Sequence, residues 1–107
     1  MTTLPHSETL ALADLVAYQP GAVVSRQVVK AAGGNVTLFA FDEGQELSEH
    51  TAPFDALVHV LDGEAEIKIS GKLYALKAGE GIIMPANATH ALFARKKFKM
   101  LLTMVRA

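Results

Sequence analysis

The sequence predicts an all-β protein whose strands close into a barrel, and two observations lead to this. From residue 20 onward, short runs rich in Val, Ile, Leu and Phe alternate with glycine-containing turns. The run 64–70 is the clearest strand, because Ala65, Ile67 and Ile69 alternate with polar residues. Such alternation gives one buried and one solvent-facing side.

Two glycine-containing pairs predict how this strand connects to its neighbours. Asp62-Gly63 predicts a hairpin with a preceding strand at 57–61, and Ser70-Gly71 predicts a second hairpin with a strand at 72–77. Glycine supplies the positive φ that tight hairpin turns require. The three strands are therefore expected to form a meander.

The remaining segments leave alternatives open. Residues 8–16 fit a short helix capped by Ser7, and they equally fit an extended segment lying on the barrel. The runs 36–41 and 100–105 are apolar on both faces. They predict either burial on both sides or an exposed sheet that pairs with a second copy, and a homodimer is expected.

The composition limits the classes of partner. Ten Lys and Arg residues balance eleven Asp and Glu residues, so nothing in the charge favours nucleic acid or a membrane surface. The absence of cysteine excludes disulfides, thiolate metal sites and a cysteine nucleophile.

No signal-peptide pattern and no apolar run of about 20 residues occurs, so a cytoplasmic location is expected. One domain over residues 1–107 is expected from the chain length.

Two stretches place glycine, proline and histidine at fixed spacing. The residues concerned are Gly44, His50 and Gly63 in the first stretch and Gly79, Pro85 and His90 in the second. Together the stretches resemble the two motifs of the cupin family, and the resemblance covers residues 44–94. It implies a double-stranded β-helix, the jelly-roll barrel of RmlC-like cupins, with a short N-terminal segment. It also implies a metal or small-molecule ligand held inside the barrel.

The metal-binding members of the family carry His-x-His, then a glutamate, then a distant histidine. In this sequence Ala52 occupies the position of the second histidine and Ala56 that of the glutamate, so only His50 and His90 remain as ligands. Asn87 stands where the second motif usually has glycine, a change expected to affect loop shape. Two imidazoles alone hold a first-row metal ion weakly, so a third ligand is needed.

Glu46 is the first candidate for this third ligand. Counting by two along a regular strand places Glu46 and Ser48 on the face of His50, which would give a set of two histidines and one carboxylate. Asp55 is the second candidate, from a loop. His59 is expected to face away from the interior. The expected cofactor is one divalent ion of Fe, Mn, Zn or Ni, or none.

The pocket is expected to be lined by Ala52, Ala56, Met84 and Leu92. Alanine at positions where the metal enzymes carry polar groups predicts a roomier, apolar pocket that favours an uncharged or aromatic small molecule. Two functions follow. One is a metal-dependent oxygenase or isomerase, and the other is a ligand-binding domain in which a histidine supplies a hydrogen bond instead of a metal bond. No catalytic residue is assigned, and enzymatic activity stays open.

Overall fold

The computed structural model describes residues 4–106 and confirms an all-β jelly-roll architecture. One short 3₁₀ turn precedes eight antiparallel strands. The 3₁₀ turn is Leu12–Leu15, and the strands are β1 Val23–Ala31, β2 Gly34–Phe41, β3 Glu46–His50, β4 Phe54–Ile69, β5 Lys72–Lys77, β6 Gly81–Met84, β7 His90–Phe93 and β8 Phe98–Arg106.

The strands form two facing sheets that share β4. In the first sheet the order is β1, β2, β8, the N-terminal half of β4, and β6. In the second sheet the C-terminal half of β4 lies between β5 and β7, and β3 pairs with β7 on its other side. The chain thus wraps around one interior, as the fold class predicted.

The predicted hairpin at Asp62-Gly63 is wrong, because β4 runs without interruption through these residues. Its pairing with β8 shifts register between Val60 and Asp62, and the strand passes here from the first sheet to the second. Gly63 has a φ of +74°, and a Cβ at this position would lie 2.1 Å from the carbonyl oxygen of Lys97. Glycine is required here by a close backbone approach instead of a turn. The Ser70-Gly71 hairpin is confirmed, since β4 and β5 pair directly across it.

The main core lies between the two sheets. The alternation predicted for 64–70 is confirmed, since Ala65, Ile67 and Ile69 are all buried. Phe41 and Phe98 are fully buried and stack with ring centroids 4.5 Å apart. Stacked aromatic pairs of this kind stabilise a core beyond the burial of their surface. The two sheets are therefore held face to face, which fixes the relative positions of the strand ends.

A second, smaller core covers part of the outer face of the first sheet. Val16 packs there against Leu38 and Ala40, all three buried. Apart from the 3₁₀ turn, the predicted segment 8–16 is not helical, so the extended alternative describes it better. Tyr18 anchors the segment by donating a 2.5 Å hydrogen bond to the carboxylate of Asp62. Part of the apolar outer face predicted from β2 and β8 is thus buried by the chain's own N-terminal segment.

The rest of that outer face remains exposed. Leu57 on β4 is 43% exposed and pairs with Ile83 on β6, which is 63% exposed. Val105 on β8 is 53% exposed, and His59 lies exposed on the same face, as predicted. Within residues 4–106, no helix is long and apolar enough to span a membrane.

Candidate functional site

His50 and His90 meet at one end of the second sheet. His50 ends β3 and His90 begins β7, and the two residues are partners in the pairing of these strands. Their Nε2 atoms lie 3.0 Å apart. The connections that follow β3 and precede β7 also touch, because the Asn87 amide donates to the Ala52 carbonyl at 2.8 Å. The structure therefore brings together the two histidines that the motifs singled out.

A β-bulge determines which residues of β3 share the site. Leu47 pairs with Leu92 while His50 pairs with His90, so β3 holds one residue more than β7 over this interval. The extra residue reverses the alternation, so His50 lies on the same side of β3 as Leu47 while its side chain remains exposed. Glu46 lies opposite Phe93 and borders a surface cleft that also contains Glu66. The prediction that Glu46 shares the face of His50 is wrong, because it assumed a regular strand.

Asp55 is also placed away from the histidines. It belongs to β4 instead of a loop. Its side chain is exposed, whereas that of the next residue, Ala56, is buried. Its carboxylate accepts a 2.9 Å hydrogen bond from the amide of Ala86. Asp55 therefore fastens the connection between β6 and β7 to the sheet, and it is not the third ligand that the sequence suggested.

Backbone carbonyls fix the orientation of both imidazoles. The Nδ1 atom of His50 lies 2.7 Å from the carbonyl oxygen of Ser48, and that of His90 lies 3.3 Å from the carbonyl oxygen of Ala88. A carbonyl oxygen only accepts hydrogen bonds, so each Nδ1 carries the hydrogen in a neutral ring. Each Nε2 then presents a lone pair. The short Nε2 contact consequently joins two acceptors, and a proton or a cation is needed to satisfy both.

The environment favours the neutral form of His90. Its side chain is 6% exposed, and burial followed by the nearby His50 ring lowers its pKa, while the Ala88 carbonyl acts in the opposite direction. His50 is exposed, so the pair lies at the boundary between the barrel interior and solvent. The lowered pKa favours the form of His90 whose Nε2 lone pair is available to a cation.

The geometry of the pair fits two neighbouring ligands of one metal ion. Imidazole nitrogens bind zinc at about 2.0–2.1 Å. Where the N–Zn–N angle is roughly a right angle or tetrahedral, the two nitrogens lie about 2.8–3.4 Å apart. The observed 3.0 Å falls in this range. Hydrogen bonding of the distal nitrogen to a carbonyl is likewise typical of metal-binding histidines. Among residues 4–106, however, no third His, Cys, Asp or Glu joins the two histidines to form a metal-binding group.

The residues expected to line the pocket lie inside the barrel or at its edge. Ala56, Met84 and Leu92 are buried in the main core, and Ala52 is half-buried. Asn87 adopts a φ of +66°, the left-handed conformation that glycine usually supplies at this place in the motif. The substitution thus keeps the loop conformation, since asparagine tolerates this region better than most residues.

The sequence did not reveal the carbonyls of Ser48 and Ala88 as orienting groups, because a backbone contact leaves no trace in side-chain identity. One regularity would have helped, since each carbonyl lies two residues before the histidine it orients. A cleft of about 640 Å³ lies elsewhere, bordered by Asp62, Lys77 and Lys97. It has no residue in common with the histidine site.

Known proteins share this fold over nearly the whole chain. A conserved protein of unknown function from Streptococcus pyogenes is 37% identical, with a TM-score of 0.93 over 99% of this chain and 93% of that one. A cupin superfamily protein from Desulfitobacterium hafniense is 28% identical, with a TM-score of 0.91 over 99% of this chain and 97% of that one. A cupin 2 conserved barrel domain protein from Leptotrichia buccalis is 43% identical, with a TM-score of 0.89 over 91% of this chain and 47% of that one.

One curated protein and one family profile match this chain in sequence. A curated protein from Streptomyces cyaneus named polyketide synthase CurC is 30% identical over 63 residues, which cover 58% of this chain and 41% of that protein. This chain thus matches about two fifths of that relative. The family profile described as Cupin domain matches residues 37–106, a range that includes both histidines and every strand from β3 to β8. On this match and on the barrel that the strands form, the chain belongs to the cupin family.

Proposed function

We propose that this protein binds a small molecule at the mouth of the barrel through one divalent transition-metal ion held by His50 and His90. The observation that supports the proposal is the pair of Nε2 lone pairs 3.0 Å apart, each fixed by a backbone carbonyl on the opposite side of its ring. Two neutral acceptors repel each other at this distance unless a positive charge lies close to both. A divalent ion satisfies both lone pairs at once.

Each residue of the site has a separate part in this function. His90, buried at the first position of β7, holds its nitrogen in a fixed place, and the exposed His50 completes the pair from the solvent side. Ala52 and Ala56 stand at positions where a metal enzyme would have further ligands, so a bound ion would keep open coordination positions for the ligand. A bound ion would supply Lewis-acid polarisation of the ligand's oxygen atoms.

Binding without a metal is the second candidate, and the absence of a third protein ligand among residues 4–106 favours it. In this alternative one imidazole becomes protonated, and the pair donates a hydrogen bond to the ligand from Nε2. The lowered pKa of His90 opposes protonation of that ring, because the protonated ring loses solvation on burial. Metal content therefore distinguishes the two candidates.

The test is elemental analysis of protein purified without a His-tag or a chelator. We expect near-equimolar Fe, Mn, Zn or Ni in the parent protein, and loss of this metal in the His50→Ala, His90→Ala double variant. His59→Ala is the matched control, because His59 is exposed on the outer face and its loss should leave the metal content unchanged. Absence of metal from the parent, even after soaking with each ion, would reject the metal and leave the second candidate.

We also infer that a second copy of the chain covers the exposed outer face of the first sheet. Leu57, Ile83 and Val105 lie on neighbouring strands and form an apolar surface, and the one carboxylate among them, on Asp55, is already bonded to the Ala86 amide. An exposed apolar surface is suited to a two-fold interface, in which the same surface serves both copies.

Light scattering tests this inference. We expect the mass of a dimer for the parent protein at micromolar concentration and the mass of a monomer for Ile83→Glu. Leu73→Glu is the control, because Leu73 is 59% exposed but lies on β5 in the second sheet. A monomeric parent, or a dimer that both variants leave intact, would contradict the inference.

A further inference from the structure

A second cleft lies at the end of the barrel away from the histidines. It is the cleft of about 640 Å³ described above, a volume within the range of small-molecule sites. His90 pairs with Ile69 on β4, whereas the cleft borders the same strand at Glu64, about 16 Å away along the strand. The cleft is therefore separate from the histidine pair in space as well as in its residues.

Backbone contacts hold the walls of this cleft together. One wall is the bend of β4 at Gly63, and the others are the end of β5 at Lys77 and the turn between β7 and β8 at Lys97. A Cβ at Gly63 would lie 2.1 Å from the carbonyl oxygen of Lys97, so these two walls touch. The Ala78 amide donates a 3.2 Å hydrogen bond to the Gly63 carbonyl, which joins the third wall. The cleft is thus formed before any ligand binds.

Tyr18 engages two of the charged side chains that border the cleft. Its hydroxyl donates to the carboxylate of Asp62, and the ammonium group of Lys97 lies 4.8 Å from the centroid of its ring. An ammonium group over an aromatic face is attracted to it. Both side chains therefore interact with the N-terminal segment, and ligand recognition falls to the other charges of the cleft.

Four other charged side chains border the cleft, two of each sign. They are Glu43, Glu64, Lys77 and Lys96. Within residues 4–106 the one ion pair joins Arg95 to Glu66, so none of the four takes part in a salt bridge. This holds even for Glu64 and Lys77, which are direct partners across β4 and β5. Balanced and unpaired charges favour neither an anion nor a cation, but they complement a molecule that carries both charges.

We propose that this cleft binds a small zwitterion, with an ammonium group at one end of a short aliphatic body and a carboxylate at the other. The lysines attract the carboxylate and the glutamates attract the ammonium group. The aliphatic body lies along Gly63, Ala78 and the methylene groups of the lysines. One exposed ion pair contributes little, because solvent and salt screen it. A ligand with a single charge consequently binds weakly, and selectivity comes from both charges acting together.

Titrations followed by ¹⁵N–¹H correlation spectra test this inference. The probes are ε-aminocaproate, N-acetyl-ε-aminocaproate and ε-aminocaproamide at neutral pH, which share one aliphatic chain and carry both charges, the negative charge alone and the positive charge alone. We expect saturable shifts of the amide signals of Gly63, Ala78 and Lys97 with ε-aminocaproate. Either singly charged probe should bind roughly threefold to fivefold more weakly, which is the contribution of one exposed ion pair. High salt should remove most of this difference.

Reversing one charge should change the preferred probe. Lys96→Glu gives the cleft an excess of negative charge, so ε-aminocaproamide should bind this variant more tightly than ε-aminocaproate does. Glu43→Lys gives an excess of positive charge, and N-acetyl-ε-aminocaproate should become the preferred probe. Lys72→Glu is the matched control, because it makes the same change in net charge at the histidine end of β5, where Lys72 pairs with Ile69. It should keep the preference of the parent protein.

Three outcomes would overturn the inference. The first is equal binding of the three probes to the parent protein. The second is shifts that never saturate, or that centre on His50 and His90 instead of Gly63. The third is an unchanged preference in both Lys96→Glu and Glu43→Lys. None of these results bears on metal binding, since the cleft and the histidine pair share no residue.

Discussion

Replacing Gly63 with alanine should destabilise the protein well beyond the usual cost of a side chain at positive φ. Gly63 lies at the bend where β4 passes between the sheets, and its added Cβ would lie 2.1 Å from the Lys97 carbonyl oxygen and 3.0 Å from the Cα of Phe98. Both contacts are with backbone, so the start of β8 has to move. Displacement of this size in a packed region costs about 1–3 kcal/mol. The left-handed conformation adds about 1–2 kcal/mol.

Gly71→Ala provides the matched control. Gly71 also has a positive φ, of +85°, but nothing lies within 4 Å of the position of its Cβ. It should therefore lose only the conformational part. Urea unfolding followed by far-UV circular dichroism measures both variants, since the chain contains no tryptophan. With a denaturant dependence of about 1–3 kcal/mol per molar, the Gly63 variant should unfold at a urea concentration about 1 M below that of the Gly71 variant.

Equal loss in the two variants would refute this reasoning. It would mean that the approach of β8 to Gly63 relaxes at no cost, and that the bend of β4 is not held by this contact. A loss confined to Gly71→Ala would be a stronger contradiction, because it would make the hairpin the constrained position.

Three further predictions concern individual side chains. Because burial lowers the pKa of His90, the unfolded chain takes up a proton at higher pH than the folded one. The unfolding free energy of the metal-free protein should thus fall as pH drops below about 6.5, and urea titrations of His90→Gln should show a weaker pH dependence. Phe98→Ala should lower the unfolding free energy by about 3–5 kcal/mol in the same assay, since it opens a cavity beside Phe41; a loss below 1 kcal/mol would argue against the stacked core. Tyr18→Phe should cost about 1 kcal/mol through loss of the hydrogen bond to Asp62, and a neutral result would show that this bond does not hold the N-terminal segment.

The sequence predicted the fold class well because alternation within a strand is a local signal. The run 64–70 has the burial that its pattern indicated. The turn at Asp62-Gly63 was misread because a glycine at positive φ fits a hairpin and a strand bend equally well. The difference depends on the Lys97 carbonyl, which is distant in the sequence. Contacts of this kind are not encoded in the spacing of nearby residues.

At the candidate site, too, local spacing was predicted correctly and contacts between strands were not. His50 and His90 were identified from motif spacing, and the structure brings them together. Glu46 was assigned by parity, and parity holds only while each strand contributes one residue per pair. The bulge between Leu47 and His50 breaks this condition, and no glycine or proline within β3 marks its place. The residues of β3 that share a face with His50 could therefore not be derived from residue counting.

The carbonyl contacts of the two imidazoles have a consequence for how this barrel changes over evolutionary time. Each ring is oriented by the backbone two residues earlier in its own strand or loop, so no other side chain is needed to aim it. Mutations at Ala52, Ala56 or Met84 are thus free to reshape the pocket while the histidines keep their direction. A scaffold of this kind separates the backbone groups that orient the histidines from the side chains around them, so a single substitution can change those side chains without turning either imidazole.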